Sequence, residues 1–404
     1  MPRPGARILL LGGDVEHNVG DRATLTALIR CLHAHDPDVA LSIVGHPTML
    51  ASLRGVSELI PPGSRGLRSL LRAASSADRV LVAGGGLFQD DDSRHTMPYW
   101  AARIALLKAF NSRIAGLSVG AGPLRHSESR AAARLACAAL TSISVRDRLA
   151  RDALATCTAR PVDIVPDPAF MLEAAPPHEA YQQLRRLGFR EGRPIIAATL
   201  RSWYHERGGF IPNRARFSVG LDLKRDRARL ESMLGVVSKS LEVLRLRLDA
   251  DILLLPACSS EHEADDAACE ALHWRMPGAN ARVARIADPR LFKALVGQAA
   301  LLVSARMHPL IFAAGMGVPF VGLSYNAKFD GVYDLLGLIA RSLPLDQCPE
   351  TWGVTTLVAA AEAALDVDVD LRQRAEPLGA TARQRAIEAA FDAGGAGVLG
   401  AADA

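Results

Sequence analysis

The chain has 404 residues, more than one ordinary hydrophobic core accommodates, so two domains are expected. Hydrophobic residues make up 49% and charged residues 22%, which excludes disorder on a large scale, while only 5% aromatics argues against an all-β sandwich. The 47 basic and 43 acidic residues nearly balance at a formal +4, with no block of like charge, so no nucleic-acid arm is indicated.

Cys31, Cys137, Cys157, Cys258, Cys269 and Cys348 lie far apart, without CxxC or Cys/His ligand spacing. Neither a zinc site nor a disulfide framework follows, and free thiols suit a reducing cytoplasm. Met1-Pro2-Arg3-Pro4 leads straight into the apolar run Ile8–Leu11, too short for the core of a signal peptide. No stretch approaches the ~18 apolar residues that span a bilayer. A cytoplasmic protein is expected, without a transmembrane segment but able to dock on a membrane transiently.

Along the chain a short aliphatic run, a Gly-rich or polar turn and a helical segment recur, the pattern of parallel α/β folds. In the first half, strands are expected from Ile8, Leu41, Val80, Ile114, Ile143 and near Val162, with helices such as Asp21–Ala34 and Tyr99–Phe110 between them. Strands this apolar, without alternation, should be covered by helices on both faces. Ala174-Ala175-Pro176-Pro177 breaks the pattern. A second series then runs through Ile195–Leu200, Ile252–Leu255, Val283–Ile286, Leu301–Ser304 and Phe320–Leu323. The expected division is a Rossmann-like domain over 1–175, a second over 190–350, and C-terminal helices over 351–404. A helical pattern over Leu371–Phe391 is long enough to cross back to the first domain, and the Ala/Gly-rich tail after Ala393 should fray.

In open parallel sheets, ligands bind beyond the carboxyl ends of the strands, where loops present N–H groups and helix N-termini. The unusual residues sit there. Gly12-Gly13-Asp14-Val15-Glu16-His17-Asn18-Val19-Gly20-Asp21 follows the first strand, with Asp21 at the expected helix N-cap. It has neither a Walker pattern nor GxGxxG spacing, and a plain capped turn explains it equally. Gly84-Gly85-Gly86-Leu87-Phe88-Gln89-Asp90 follows another buried strand, and three consecutive glycines suggest close approach of the backbone to a ligand. Asp90, Asp91 and Asp92 suit a cation, sugar hydroxyls or plain solvation, with solvation the default for Asp91 and Asp92. Gly120-Ala121-Gly122-Pro123 is a similar loop.

In Ser304-Ala305-Arg306-Met307-His308-Pro309 a strand ends and Pro309 opens a helix, so Arg306 and His308 should face a cleft. Arg offers a planar fork to carboxylate or phosphate, and His exchanges a proton near neutral pH. A capping Ser beside a surface Arg and a core His is the plain alternative. Arg201 and Lys328 fall at neighbouring strand ends and would complete an anion pocket.

This ordered set resembles the polysaccharide pyruvyl transferase family. The matching residues are Asn18-Val19-Gly20-Asp21, Gly84 to Asp90, Ser144-Val145-Arg146-Asp147, Pro166-Asp167-Pro168-Ala169-Phe170, Arg201, Ser304 to His308 and Tyr325-Asn326-Ala327-Lys328, over roughly residues 7–340. Tyr204–Arg225 reads as a variable loop. The resemblance implies a GT-B-like fold of two Rossmann-like domains with a central cleft. It implies phosphoenolpyruvate as donor co-substrate, with no cofactor and no metal. A sugar, free, lipid-linked or nucleotide-linked, would be the acceptor and a pyruvate ketal the product. Arg306 and His308 match the family's Arg-x-His element, with Met307 in place of the commoner Leu, and Arg201 matches its donor-binding arginine. On this view His308 is the acid/base group and Asp21 serves the acceptor. Arg201, Arg306 and Lys328 hold phosphoenolpyruvate, while Asn18, Gly20, Gly85, Gly86, Gln89 and Asp90 line the acceptor side. A nucleotide-sugar glycosyltransferase on the same fold is the nearest rival, and a non-catalytic glycan-binding partner is the second.

Overall fold

The computed structural model describes residues 5–45, 55–91, 93–202, 209–211, 213–221, 226–367 and 369–392. Asp92, the first four residues, the tail after Ala393 and much of the Tyr204–Arg225 stretch lie outside the described residues.

The apolar runs become two sheets in which every ladder is parallel. The first holds β1 (Arg7–Leu11), β2 (Ala40–Val44), β3 (Glu58–Ile60), β4 (Arg79–Ala83), β5 (Ile114–Val119), β6 (Ser142–Val145) and β7 (Asp163–Ile164), ordered β3-β2-β1-β4-β5-β6-β7. The second holds β8 (Ile195–Thr199), β9 (Asp251–Leu254), β10 (Ala281–Val283), β11 (Leu301–Ser304), β12 (Phe320–Ser324) and β13 (Leu343–Pro344), ordered β10-β9-β8-β11-β12-β13. Both are wound alike. The chain goes outward on one side of the first strand, then returns to continue on the other. Each sheet therefore has a switch point, between β1 and β4 and between β8 and β11, where the loops diverge and leave a crevice.

Central strands are buried on both faces, as their unbroken aliphatic sequences require. The edge strands β3 and β13 have no counterpart in the sequence reading; they are too short to carry a pattern. The first helix runs Val19–His35 and its N-cap is Asn18, whose side chain accepts from the N–H groups of Gly20 and Asp21. Asp21 is therefore in the first turn and not at the cap. Asn and Asp are comparable caps, and the chain places Asn18 where the backbone is still extended. The next expected helix lies at Thr96–Lys108.

The two sheets share buried contacts. One core cluster joins Val19, Ala23 and Leu28 of the first helix to Phe292, Leu310 and Phe312 beside the second sheet. The C-terminal helix, Leu371–Phe391, packs on the first helix, on the helix Met307–Met316 and against β4 and β5. A backbone latch adds to this. The Val19 N–H donates to the Ala257 carbonyl at 2.9 Å, and the Ser259 N–H donates to the His17 carbonyl at 2.9 Å. Among the described residues, no helix is long and apolar enough to cross a membrane.

The halves also pack closely at Gly331, in the helix Lys328–Leu335, which lies against Asp147. A methyl group at Gly331 would stand 2.8 Å from the Asp147 Cβ, an atom with little freedom to retreat. Gly331→Ala is expected to lower stability by about 1–3 kcal/mol through overpacking, read as an earlier urea midpoint. An unchanged midpoint would mean that the two helices separate without strain.

Candidate active site

A cleft of about 440 Å³ runs between the two sheets, and its walls come from the two switch points. From the first domain come the loop after β1, with Asp14, Asn18, Gly20 and Asp21, and the loop after β4, with Gly86 and Gln89. From the second come Arg201 after β8, Glu263 after β9, Arg306 and His308 after β11, and Tyr325 and Lys328 after β12. Most of the expected site residues are thus brought together, although they lie far apart in the chain.

His308 sits in the first turn of the helix Met307–Met316, which fixes its ring at the domain boundary. Its Nε2 lies 3.5 Å from the Asp167 carboxylate. Its other face rests on Gly20: a Cβ there would come within 1.9 Å of the ring's Nδ1. Gly20 is required because a ring from the other domain takes the space of a side chain.

Asp167 is held from several sides. It accepts from Thr24 Oγ1 at 2.9 Å and from the Ala169 N–H at 3.0 Å, and Arg146 stands 3.8 Å away. Behind it, the Ser118 hydroxyl donates to the carbonyls of Val165 and Pro166, which sets the direction of the segment entering Asp167. Burial alone would raise the Asp167 carboxyl, but the nearby His308, then Arg146, outweigh it and bring its pKa down to about 2. Asp21 behaves oppositely. Burial raises its pKa despite the nearby His308, and its carboxylate accepts from the Asp14 N–H at 2.9 Å. Two buried carboxyls near the same imidazole are thus pushed apart in acidity, a common mark of acid/base sites.

The arginines are less open than expected. Arg306 binds Asp265 through both Nε, at 2.9 Å, and Nη2, and it also meets Glu263 at 2.5 Å. Arg201 meets the same Glu263 oxygen at 2.9 Å, and its guanidinium lies 4.3 Å from the Tyr325 ring centre. Burial opposes the charge on Arg306, but Asp265 and Glu263 more than restore it, holding its pKa well above the ordinary value. The positive charge of the two arginines is therefore already balanced by two carboxylates. Lys328 differs: its ammonium lies 4.8 Å from the Tyr325 ring centre, and no carboxylate pairs with it among the described residues. Burial works to raise the Tyr325 phenol, yet Lys328, Arg201 and Arg306 bring it down to about 8.

Gly85 and Asp90 do not line the cleft. Gly84 and Gly85 have φ of 62° and 64°, and a Cβ on Gly84 would strike Thr24 at 2.4 Å, so these glycines serve packing within the protein. Asp90 is fully buried, its carboxylate accepting from the His126 N–H at 2.9 Å, which holds the Gly120 loop. Asp91 is not solvated as assumed; it is buried beside Arg125, at 3.2 Å, with Asn326 Nδ2 donating at 3.4 Å. Among the described residues, no group of three or more His, Cys, Asp or Glu side chains is arranged to hold a metal ion.

Sequence reasoning assigned no role to Asp167, Glu263, Asp265 or Tyr325. Asp167 and Tyr325 lie inside the quoted motifs and were within reach. Glu263 and Asp265 belong to the polar run Glu261-His262-Glu263-Ala264-Asp265-Asp266, which reads as a solvated loop.

Two doubly wound domains whose charged residues converge at facing switch points define a GT-B-like α/β protein. Solved structures agree on the fold. A UDP-GlcNAc 2-epimerase from Neisseria meningitidis superposes with a TM-score of 0.55 at 11% identity, covering 95% of this chain and 99% of its own. A glycosyltransferase from Rickettsia africae gives 0.55 at 11%, covering 96% and 95%. The epimerase from Methanocaldococcus jannaschii gives 0.53 at 12%, covering 93% and 98%. No curated protein matches the chain. The family is clear nonetheless: the profile of the polysaccharide pyruvyl transferases matches residues 18–327, and the chain belongs to that family.

Asp167 makes the acid stability of the protein testable. Its folded pKa of about 2 is below its ordinary 3.8, so its contribution is complete above about pH 4 and is lost as pH falls through about 2. Between pH 5 and pH 2 the wild type should lose about 2 kcal/mol more than Asp167→Asn, measured by denaturant unfolding at each pH. Parallel pH profiles would show that the carboxylate carries no such stabilisation.

Proposed function

We propose that the protein transfers a pyruvyl group from phosphoenolpyruvate to a sugar, with His308 as the proton donor and acceptor. The observation that carries this reading is the cluster of His308, Asp167 and Asp21 in the same cleft as Lys328, Arg201 and Arg306. The family gives the chemistry a general direction, and the cleft supplies groups suited to each part of it.

Phosphoenolpyruvate carries a carboxylate and a phosphate. Lys328 offers the uncompensated charge, while Arg201 and Arg306, balanced by Glu263 and Asp265, offer directional N–H donors on a rigid base. Protonation of the methylene carbon by His308 leaves an oxocarbenium-like centre at the adjacent carbon. A sugar hydroxyl adds there and gives up its proton to Asp21, whose raised pKa makes it a better base than an exposed carboxylate. Loss of inorganic phosphate regenerates the electrophilic carbon, and a second hydroxyl closes the ketal as its proton passes to His308, which restores the proton donor. Asp167, charged throughout, orients the imidazole. The six cysteines are free and buried, which supports a cytoplasmic setting for these steps.

His308→Ala should lower turnover by about 100-fold or more, while phosphoenolpyruvate still raises the thermal midpoint. Gly20→Ala, which pushes the ring aside without removing it, should likewise depress turnover more than donor binding. Near-normal turnover in His308→Ala would remove the assigned role. Lys328→Gln is a cleaner test of the donor site than an Arg306 variant, which would strand two carboxylates. It should raise the donor KM by about tenfold with a smaller change in kcat. If nucleotide-sugars raise the midpoint and phosphoenolpyruvate does not, and a nucleoside diphosphate is released, the glycosyltransferase reading replaces this one.

A further inference from the structure

One part of the cleft is not used by the steps above. Beyond β1, on the side of β2 and β3, the wall is made by Gly45, Pro62 and the first turns of the helix Thr96–Lys108, which present Tyr99, Trp100 and Arg103. Tyr99 is 54% exposed although it is a large aromatic side chain, whereas Trp100 is 7% exposed and anchors in the first-domain core. Arg103, one turn after Tyr99, donates from Nη1 to the Tyr99 hydroxyl at 3.0 Å. Its guanidinium carbon lies 5.4 Å from the Trp100 ring centre and 5.9 Å from that of Tyr99.

One feature separates this arginine from Arg201 and Arg306: no carboxylate pairs with it among the described residues. Its Nε is moreover buried without a hydrogen-bond partner. A guanidinium steadied by two rings and one hydroxyl, with its charge unbalanced, has already lost the side-chain freedom that binding normally removes. The chemistry that answers it is a phosphate or carboxylate, both of which match the arginine fork. An exposed aromatic beside it offers a flat apolar surface to a ring. Acidic groups lining the loop after β1, Asp14, Glu16 and Asp21, disfavour an anion there and leave Arg103 as the place for it.

We infer that Tyr99, Trp100 and Arg103 form an acceptor subsite for a sugar that carries an anionic group, phosphate or carboxylate, with the sugar ring set against Tyr99. This rests on the reading of the cleft as a pyruvyl transfer site, in which the first domain faces the acceptor. It narrows the acceptor to a charged sugar, such as a glycosyl phosphate or a uronic acid, and excludes a neutral one.

The test is equilibrium binding by calorimetry to the full-length protein, with and without phosphoenolpyruvate. The probes are a panel of hexose 1-phosphates, the matching methyl glycosides and the matching hexuronic acids. At least one anionic probe should bind about tenfold or more tightly than its neutral counterpart, and Arg103→Gln should abolish that preference. Tyr99→Phe, which only frees the guanidinium, should reduce it in part. A gain confined to hexose 1-phosphates identifies the anion as phosphate, and one confined to hexuronic acids identifies it as carboxylate. Equal binding of charged and neutral probes, or an anionic preference that survives in Arg103→Gln, would overturn the subsite. Failure of phosphoenolpyruvate to bind would strike the donor assignment instead, and is read from its own titration in Arg103→Gln, where donor affinity should match the wild type.

Discussion

A charge removed from water must find a partner within the protein, and this cleft removes several. Arg146, Arg201, Arg306, Asp167 and Asp265 are all nearly inaccessible. An unpaired charge at such depth would cost several kcal/mol, a large share of the stability a domain has in reserve. The solution is a set of pairs whose members come from different strands: Arg306 with Asp265, Arg201 with Glu263, Arg146 and His308 with Asp167. Their geometry is fixed by desolvation, and any ligand meets side chains that are already oriented. Only Lys328 and Arg103 face the cleft without a carboxylate counterpart among the described residues, and those two positions give the cleft its polarity.

The sheets supply the rest. Because both domains are wound identically, their switch points can face each other, and the loops after β1, β4, β8 and β11 meet in one volume. Epimerases and glycosyltransferases with about a tenth of their residues identical share this framework. The framework alone therefore says little about chemistry; the side chains at the four loop positions say more.

Much of this was legible in the sequence. β11 begins and ends where the aliphatic run Leu301–Ser304 does, and the C-terminal helix fills the range its periodicity indicated. Long apolar runs closed by glycine leave few other readings. The edge strands β3 and β13 stayed invisible because two or three residues hold no period. At the site, His308 and Lys328 were legible since each follows a strand directly. The partners of the arginines were not. Arg306 and Asp265 are separated by 41 residues, and an acidic loop that will be buried looks the same in sequence as one that will not. The glycines illustrate a different ambiguity. Gly84 and Gly20 both permit close approach, but what approaches is Thr24 in one case and an imidazole from the other domain in the other.

The latch between the two halves has a thermodynamic meaning. The cap of the first helix, Asn18, bridges to Cys258, and the N–H that follows it is satisfied by Ala257. One end of a first-domain helix is thus completed by second-domain backbone, while the C-terminal helix returns from the other side to share its core with β4 and β5. Neither half possesses all of its own hydrogen bonds or apolar contacts. Melting either would expose surface in both, so the two domains unfold as one cooperative unit, and the cleft between them disappears in the same transition.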